Sequence, residues 1–278
     1  MTTPLITLDV PYGAGADPKH LLDIYEHPDR SGDATRAAIV LVHGGGWFRG
    51  DKAKEKTLAS LLVEAGYLVF VPNYRLAPDH VFPAGREDVL AAAEWARDST
   101  HAFDRGRIAF FGGSAGGNLV VEAAIETGCP AVSWSGIFDL AGLIAATDAT
   151  AAEPTQQDLV ALRSADINQT GRDDAFLRWV ILQEVGGDRT ALAAASTPAR
   201  VTTATGPVYL ANSLDEFVPV SDAGALQAAL SRAGVASTLQ LIPGTRHAEG
   251  YLEHALHGSL AFLADALETP RTADGFPA

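Results

Sequence analysis

Ile108-Ala109-Phe110-Phe111-Gly112-Gly113-Ser114-Ala115-Gly116-Gly117-Asn118 decides the reading of this chain. An apolar run of strand length passes directly into a serine framed by glycines, and the glycines open a helical pattern from Gly117 to Thr127. The pentapeptide Gly112–Gly116 fits G-x-S-x-G in the strand–turn–helix context that a nucleophile elbow requires. In so tight a turn, side chains two before and two after the serine collide, which accounts for Gly112 and Gly116. The turn lifts the serine off the carboxyl edge of a sheet, and the helix N-terminus behind it favours developing negative charge. The plainer reading of the same string is a glycine-rich turn that only packs tightly.

Working outward, apolar runs alternate with helical patterns, the signature of a mostly parallel sheet covered on both faces. Strands are expected at Ala38–Val42, Tyr67–Val71, Ile108–Phe111, Ala131–Trp134, Val208–Ala211 and Thr238–Ile242. Helices are expected at Lys56–Ala65, Gly85–Asp98, Gly117–Thr127, Ala223–Ala233 and Tyr251–Leu267. Leu5–Val10 and Leu21–Tyr25 read as an antiparallel edge. The whole chain, residues 1–278, reads as one domain. The stretch from Asp139 to Thr205 lacks a clear strand and reads as a helical cap inserted between two sheet strands, with a helix at Asp174–Val185. Residues 269–278 carry too little apolar content to pack and are expected to be mobile.

A second glycine motif, His43-Gly44-Gly45-Gly46-Trp47, follows the strand Ala38–Val42. Consecutive glycines let backbone N–H groups face a cavity unobstructed, which suits an oxyanion hole; a flexible turn is the alternative. A phosphate loop fits poorly, because the Gly-Lys-Ser/Thr ending is missing. His43 reads as a structural hydrogen-bonding residue. The two motifs at the ends of separate strands point to serine hydrolysis, which needs a base and an orienting acid downstream. His247 lies just past the last strand and Asp215 just past the strand before it. The order Ser114, Asp215, His247 is the one an α/β-hydrolase uses. Asp215 is preferred to Glu216, whose side chain is expected to point the other way, and to Asp222, which falls where it would cap or complement the following helix. His254 and His257, three apart on the last helix, read as a solvated face.

Composition narrows the classes further. Of 278 residues 47% are hydrophobic and 19% charged, enough apolar content for a sizeable core. A net charge of −14 argues against nucleic acid or an anionic membrane as partner. One cysteine, Cys129, allows neither an internal disulfide nor a thiolate-rich metal site. The N-terminus lacks a secretory pattern and no segment is long and apolar enough to span a bilayer, so a cytoplasmic location is expected.

Together, His43–Trp47, Tyr74-Arg75-Leu76-Ala77-Pro78 with Phe82-Pro83-Ala84, and Gly113-Ser114-Ala115-Gly116-Gly117-Asn118 resemble the hormone-sensitive-lipase-like group of microbial carboxylesterases over residues 21–265. The resemblance implies an α/β-hydrolase fold and cofactor-free hydrolysis of short- or medium-chain esters of small molecules. It also implies that Gly45, Gly46 and Ala115 donate to the oxyanion. The chain departs from that group in three places. Gly113 replaces the usual aspartate, Asp215-Glu216-Phe217-Val218-Pro219 is closer to short feruloyl-esterase-like enzymes, and the segment before His43 is too short for extra cap helices. Ser135-Gly136-Ile137-Phe138-Asp139-Leu140 resembles a segment of arylformamidases. Activated-amide cleavage, lactone opening or acyl transfer, and a non-catalytic binding relative therefore stand beside ester hydrolysis, with substrate, stereopreference and oligomeric state open.

Overall fold

In the computed structural model, residues 3–13, 19–148 and 169–268 are described. Eight strands form one sheet: β1 (Leu5–Pro11), β2 (Leu21–Glu26), β3 (Ala38–Val42), β4 (Leu68–Pro72), β5 (Ile108–Gly113), β6 (Ala131–Trp134), β7 (Val208–Ser213) and β8 (Ser237–Ile242). Their spatial order is β1-β2-β4-β3-β5-β6-β7-β8. β2 pairs antiparallel with both β1 and β4, and every pairing from β4 to β8 is parallel. The α/β-hydrolase architecture expected from the motifs is therefore the one observed.

Every residue of β3 and β4 is buried, because helices cover both faces. Strand alternation sorts the side chains into two layers. Val40, Phe70 and Phe110 face a core shared with α2 (Ala84–Asp98) and α3 (Ala115–Thr127). Ile39, Val69 and Phe111 face the other, shared with α1 (Lys56–Glu64) and α7 (Leu252–Ala266).

Between β6 and β7 the described residues hold α4 (Leu140–Thr147), α5 (Asp174–Glu184) and a single helical turn at Leu192–Ala195. No strand occurs among the described residues there. Leu143, Ile144, Leu177, Trp179 and Val180 join the same apolar cluster as α2 and α3, so these helices share the core. Residues 149–168 of the expected cap and the expected mobile tail 269–278 lie outside the described residues. The next helix, α6, spans Val220–Arg232. Its Asp222 lies in the first turn, where the sequence placed it to cap or complement the helix, but makes no side-chain cap bond there. The buried carboxylate accepts the N–H groups of Phe138 and Asp139, both at 2.8 Å, and anchors the entrance to α4. Burial pushes its pKa up to about 7.

Candidate active site

Ser114 stands where β5 ends and α3 begins, with φ 56° and ψ −124°. A serine in this sparsely populated region is strained, and the surroundings enforce it. Its N–H donates to Trp134 O at 2.8 Å, and its carbonyl accepts Asn118 N–H at 3.0 Å. Gly112 and Gly116 have the steric reason given above: a Cβ on Gly112 would stand 2.6 Å from the Gly116 carbonyl. Gly113, where the family resemblance implies aspartate, is closely approached from another loop. A Cβ there would lie 2.8 Å from Glu249 Oε1 and 3.1 Å from Ala248 Cβ. The same contact shows that the nucleophile turn abuts the loop carrying His247.

The glycine loop reaches the same place, because a Cβ on Gly44 would stand 3.3 Å from Ser114 Cβ. Gly45 and Gly46 have φ of +129° and +59°, conformations that favour glycine. At Gly45 a side chain would also run into the Arg49 carbonyl. Ala115 is the first residue of α3, so its N–H belongs to the helix-start donors that no helical carbonyl takes up. His43 lies behind the loop. Its ring stacks on Tyr74 at 4.3 Å, and Nδ1 donates to Gly44 O at 2.8 Å. Burial lowers its pKa to about 4, so it stays neutral and structural.

The structure corrects the acid. His247 Nδ1 is hydrogen-bonded to Glu216 Oε2, not to Asp215, with both side chains buried. β7 runs to Ser213, two residues beyond the expected end, and its pairing with the β8 side continues through Leu214 N–H to Ile242 O and Asp215 N–H to Gly244 O. That continuation leaves the Asp215 side chain exposed and turns the next residue inward. Neighbouring side chains do point opposite ways, as expected, but the inward one is Glu216. Its Oε1 accepts Ser213 N–H at 2.9 Å and the Ser135 hydroxyl at 2.8 Å. Several donors on a buried carboxylate offset the cost of taking its charge out of water. A carboxylate only accepts, so Nδ1 carries the hydrogen and the lone pair is on Nε2. Nε2 is buried without a hydrogen-bond partner, so it is not yet joined to Ser114 Oγ.

Two further groups escaped the sequence reading. Gln169 clasps the His247 backbone, its Oε1 accepting His247 N–H at 2.8 Å and its Nε2 donating to His247 O at 3.3 Å. It sits in a polar, alanine-rich stretch with no motif around it. Aromatic rings also run away from His247: Phe217 at 4.3 Å, then Phe176 at 5.7 Å from Phe217, Trp179 at 6.1 Å from Phe176 and Phe48 at 4.7 Å from Trp179. This line ends at a groove of about 270 Å³ lined by Phe48, Arg49, Ala77, Pro78, Trp179 and Gln183. A larger groove of about 540 Å³, between β1 and the end of α2, is lined by none of the residues of this site. Among the described residues no cluster of three His, Cys, Asp or Glu is arranged to hold a metal ion. No helix among them is long and apolar enough to cross a membrane.

Comparison with known proteins identifies the family and the fold. Residues 39–250 match a family described as alpha/beta hydrolase fold. Esterase LipQ of Mycobacterium tuberculosis is 29% identical over 248 residues, covering 87% of this chain and 57% of LipQ. Carboxylesterase NlhH of the same organism is 32% identical over 232 residues, covering 78% and 67%. This chain therefore spans little more than half of LipQ. Among solved structures, a truncated carbohydrate esterase from gut microbiota superposes with a TM-score of 0.75 at 19% identity, over 96% of this chain and 98% of that one. Esterase B from Lactobacillus rhamnosis gives 0.73 at 20% identity, over 95% and 85%. At such identities the likeness shows the fold alone.

Proposed function

This chain belongs to the alpha/beta hydrolase fold family, and from that premise we propose that it is a serine hydrolase cleaving carboxylic esters of short or medium acyl chains. The observation that carries the reading is the buried His247, held through Nδ1 by Glu216 beside the nucleophile turn, with Nε2 unpartnered. Ser114 attacks the ester carbonyl as His247 Nε2 takes its proton. Glu216 keeps the imidazole in the required tautomer and stabilises the imidazolium. The N–H groups of Gly45, Gly46 and Ala115 receive the oxyanion. The imidazolium then protonates the departing alcohol, and water, deprotonated by His247, releases the acid and regenerates Ser114. No step needs a cofactor. The esterase names of LipQ and NlhH favour ester over amide substrates.

Treatment with a p-nitrophenyl alkylphosphonate should leave a single adduct on Ser114, found by peptide mass spectrometry, and abolish turnover. p-Nitrophenyl acetate and butyrate should be hydrolysed with higher kcat/KM than N-formyl arylamines. Faster formamide cleavage would transfer the assignment to activated amides, and an unlabelled Ser114 would remove the serine-hydrolase reading.

The aromatic groove beside Gly46 is the specificity wall of this reading. A Cβ on Gly46 would meet Val180 Cγ1 at 3.0 Å and the Phe48 ring at 3.1 Å, so α5 lies directly over the oxyanion loop. Trp179→Ala is expected to lower kcat/KM for a phenyl-bearing ester by about tenfold or more, and for an acetyl ester by clearly less, because the small ester needs little enclosure. Equal losses on both substrates would assign Trp179 to the common core instead.

A further inference from the structure

Ser135 follows β6 with φ 51°, fully buried, in a left-handed conformation that costs a serine energy. Its hydroxyl joins segments at three strand ends. It lies 2.8 Å from Glu216 Oε1 beyond β7, accepts Ala248 N–H at 2.9 Å beyond β8, and stands 2.7 Å from Tyr251 Oη. Tyr251 Oη is also 2.8 Å from Ala211 O. Two hydroxyl hydrogens thus serve three oxygen–oxygen contacts. Carboxylate and carbonyl oxygens only accept, so the Ser135 hydrogen goes to Glu216 and the Tyr251 hydrogen is divided between Ser135 Oγ and Ala211 O. Burial, followed by the Glu216 charge, pushes the Tyr251 phenol well above its ordinary value and keeps it a donor.

We propose that Ser135 is a positioning residue, whose hydroxyl fixes the Glu216 carboxylate and, through Ala248, the His247 loop in one mutual geometry. The proposal rests on the acyl-transfer reading above. Ser135 touches no reacting atom. It acts by removing the freedom of Glu216 to rotate: Oε1 is pinned by Ser135 and Ser213, so Oε2 alone is presented to Nδ1. The strained backbone of Ser135 aims the hydroxyl at two loops simultaneously.

Ser135→Ala and Ser135→Gly in the full chain separate the hydroxyl from the backbone, since both lack the hydroxyl while glycine also relieves the positive φ. Both variants are expected to lose about 10- to 100-fold in kcat, the scale of a hydrogen bond to a buried charge, with KM within about threefold of the parent. In both, the downfield proton NMR resonance of His247 Nδ1–H, identified by its absence in His247→Ala, should move or broaden. Parent-like kcat in Ser135→Gly would overturn the proposal in favour of a purely conformational role. So would a loss of kcat that tracks Tm while the Nδ1–H resonance stays in place, and so would failure of both variants to fold. Phosphonate labelling of Ser114 in the parent is independent of Ser135, so failure of the acyl-transfer reading is recognisable separately.

Discussion

Ser114→Ala is expected to fold as the parent does and to lower kcat by roughly 10³-fold or more. The substitution deletes one oxygen at a nearly buried site and leaves untouched the backbone bonds from Ser114 N–H to Trp134 O and from Asn118 N–H to Ser114 O. Alanine accepts the strained conformation about as well as serine, so Tm should stay within a few degrees, a shift of about 1 kcal/mol or less. The residual rate would come from binding and the oxyanion donors alone. Steady-state kinetics with p-nitrophenyl butyrate, beside a thermal melt, read both halves of this expectation. Near-parental turnover in a folded variant would sink the entire mechanism.

The second large effect concerns the acid, where Glu216→Gln is expected to cost on the order of 10²–10⁴ in kcat. The reason lies in the donors around the carboxylate. Ser213 N–H and the Ser135 hydroxyl hold Oε1, so in a glutamine they select the amide oxygen for that position. The amide NH₂ then faces His247 Nδ1, which must accept, and the ring hydrogen moves to Nε2. In that tautomer Nε2 cannot take the Ser114 proton. Asp215→Asn, on an exposed side chain, should lose less than about tenfold. A crippled Asp215→Asn with an active Glu216→Gln would restore Asp215 as the acid, while Ser114 and His247 kept their roles.

Loss of Trp179 sorts substrates, and loss of Ser135 reaches the acid through one hydroxyl. The chain alone pointed to the helix at 176–185 as a place where changes sort substrates, but not to Trp179 within it, and it did not place Ser135 beside the acid. Trp179 meets Phe48 across 131 positions of sequence, and Ser135 meets Glu216 across 81. In the sequence Trp179 was one apolar residue of a helix, and Ser135 stood out only through a likeness to arylformamidases.

What the sequence determined by itself was everything governed by local rules. Apolar runs with flanking glycines located the central strands β3–β6 to within two residues, because a strand buried on both faces is apolar nearly throughout. The glycines around Ser114 and after His43 declared their turns, since only glycine fits at 112 and 116 or favours the dihedral angles seen at 45 and 46. The tertiary structure alone decided which of two adjacent carboxylates faces His247. Asp215 and Glu216 are one residue apart and chemically alike, so local chemistry cannot rank them. The choice follows from how far β7 keeps pairing beyond Ala211, through bonds to Ile242 and Gly244, and from a serine just past the end of a third strand, whose hydroxyl hydrogen goes to the inward one.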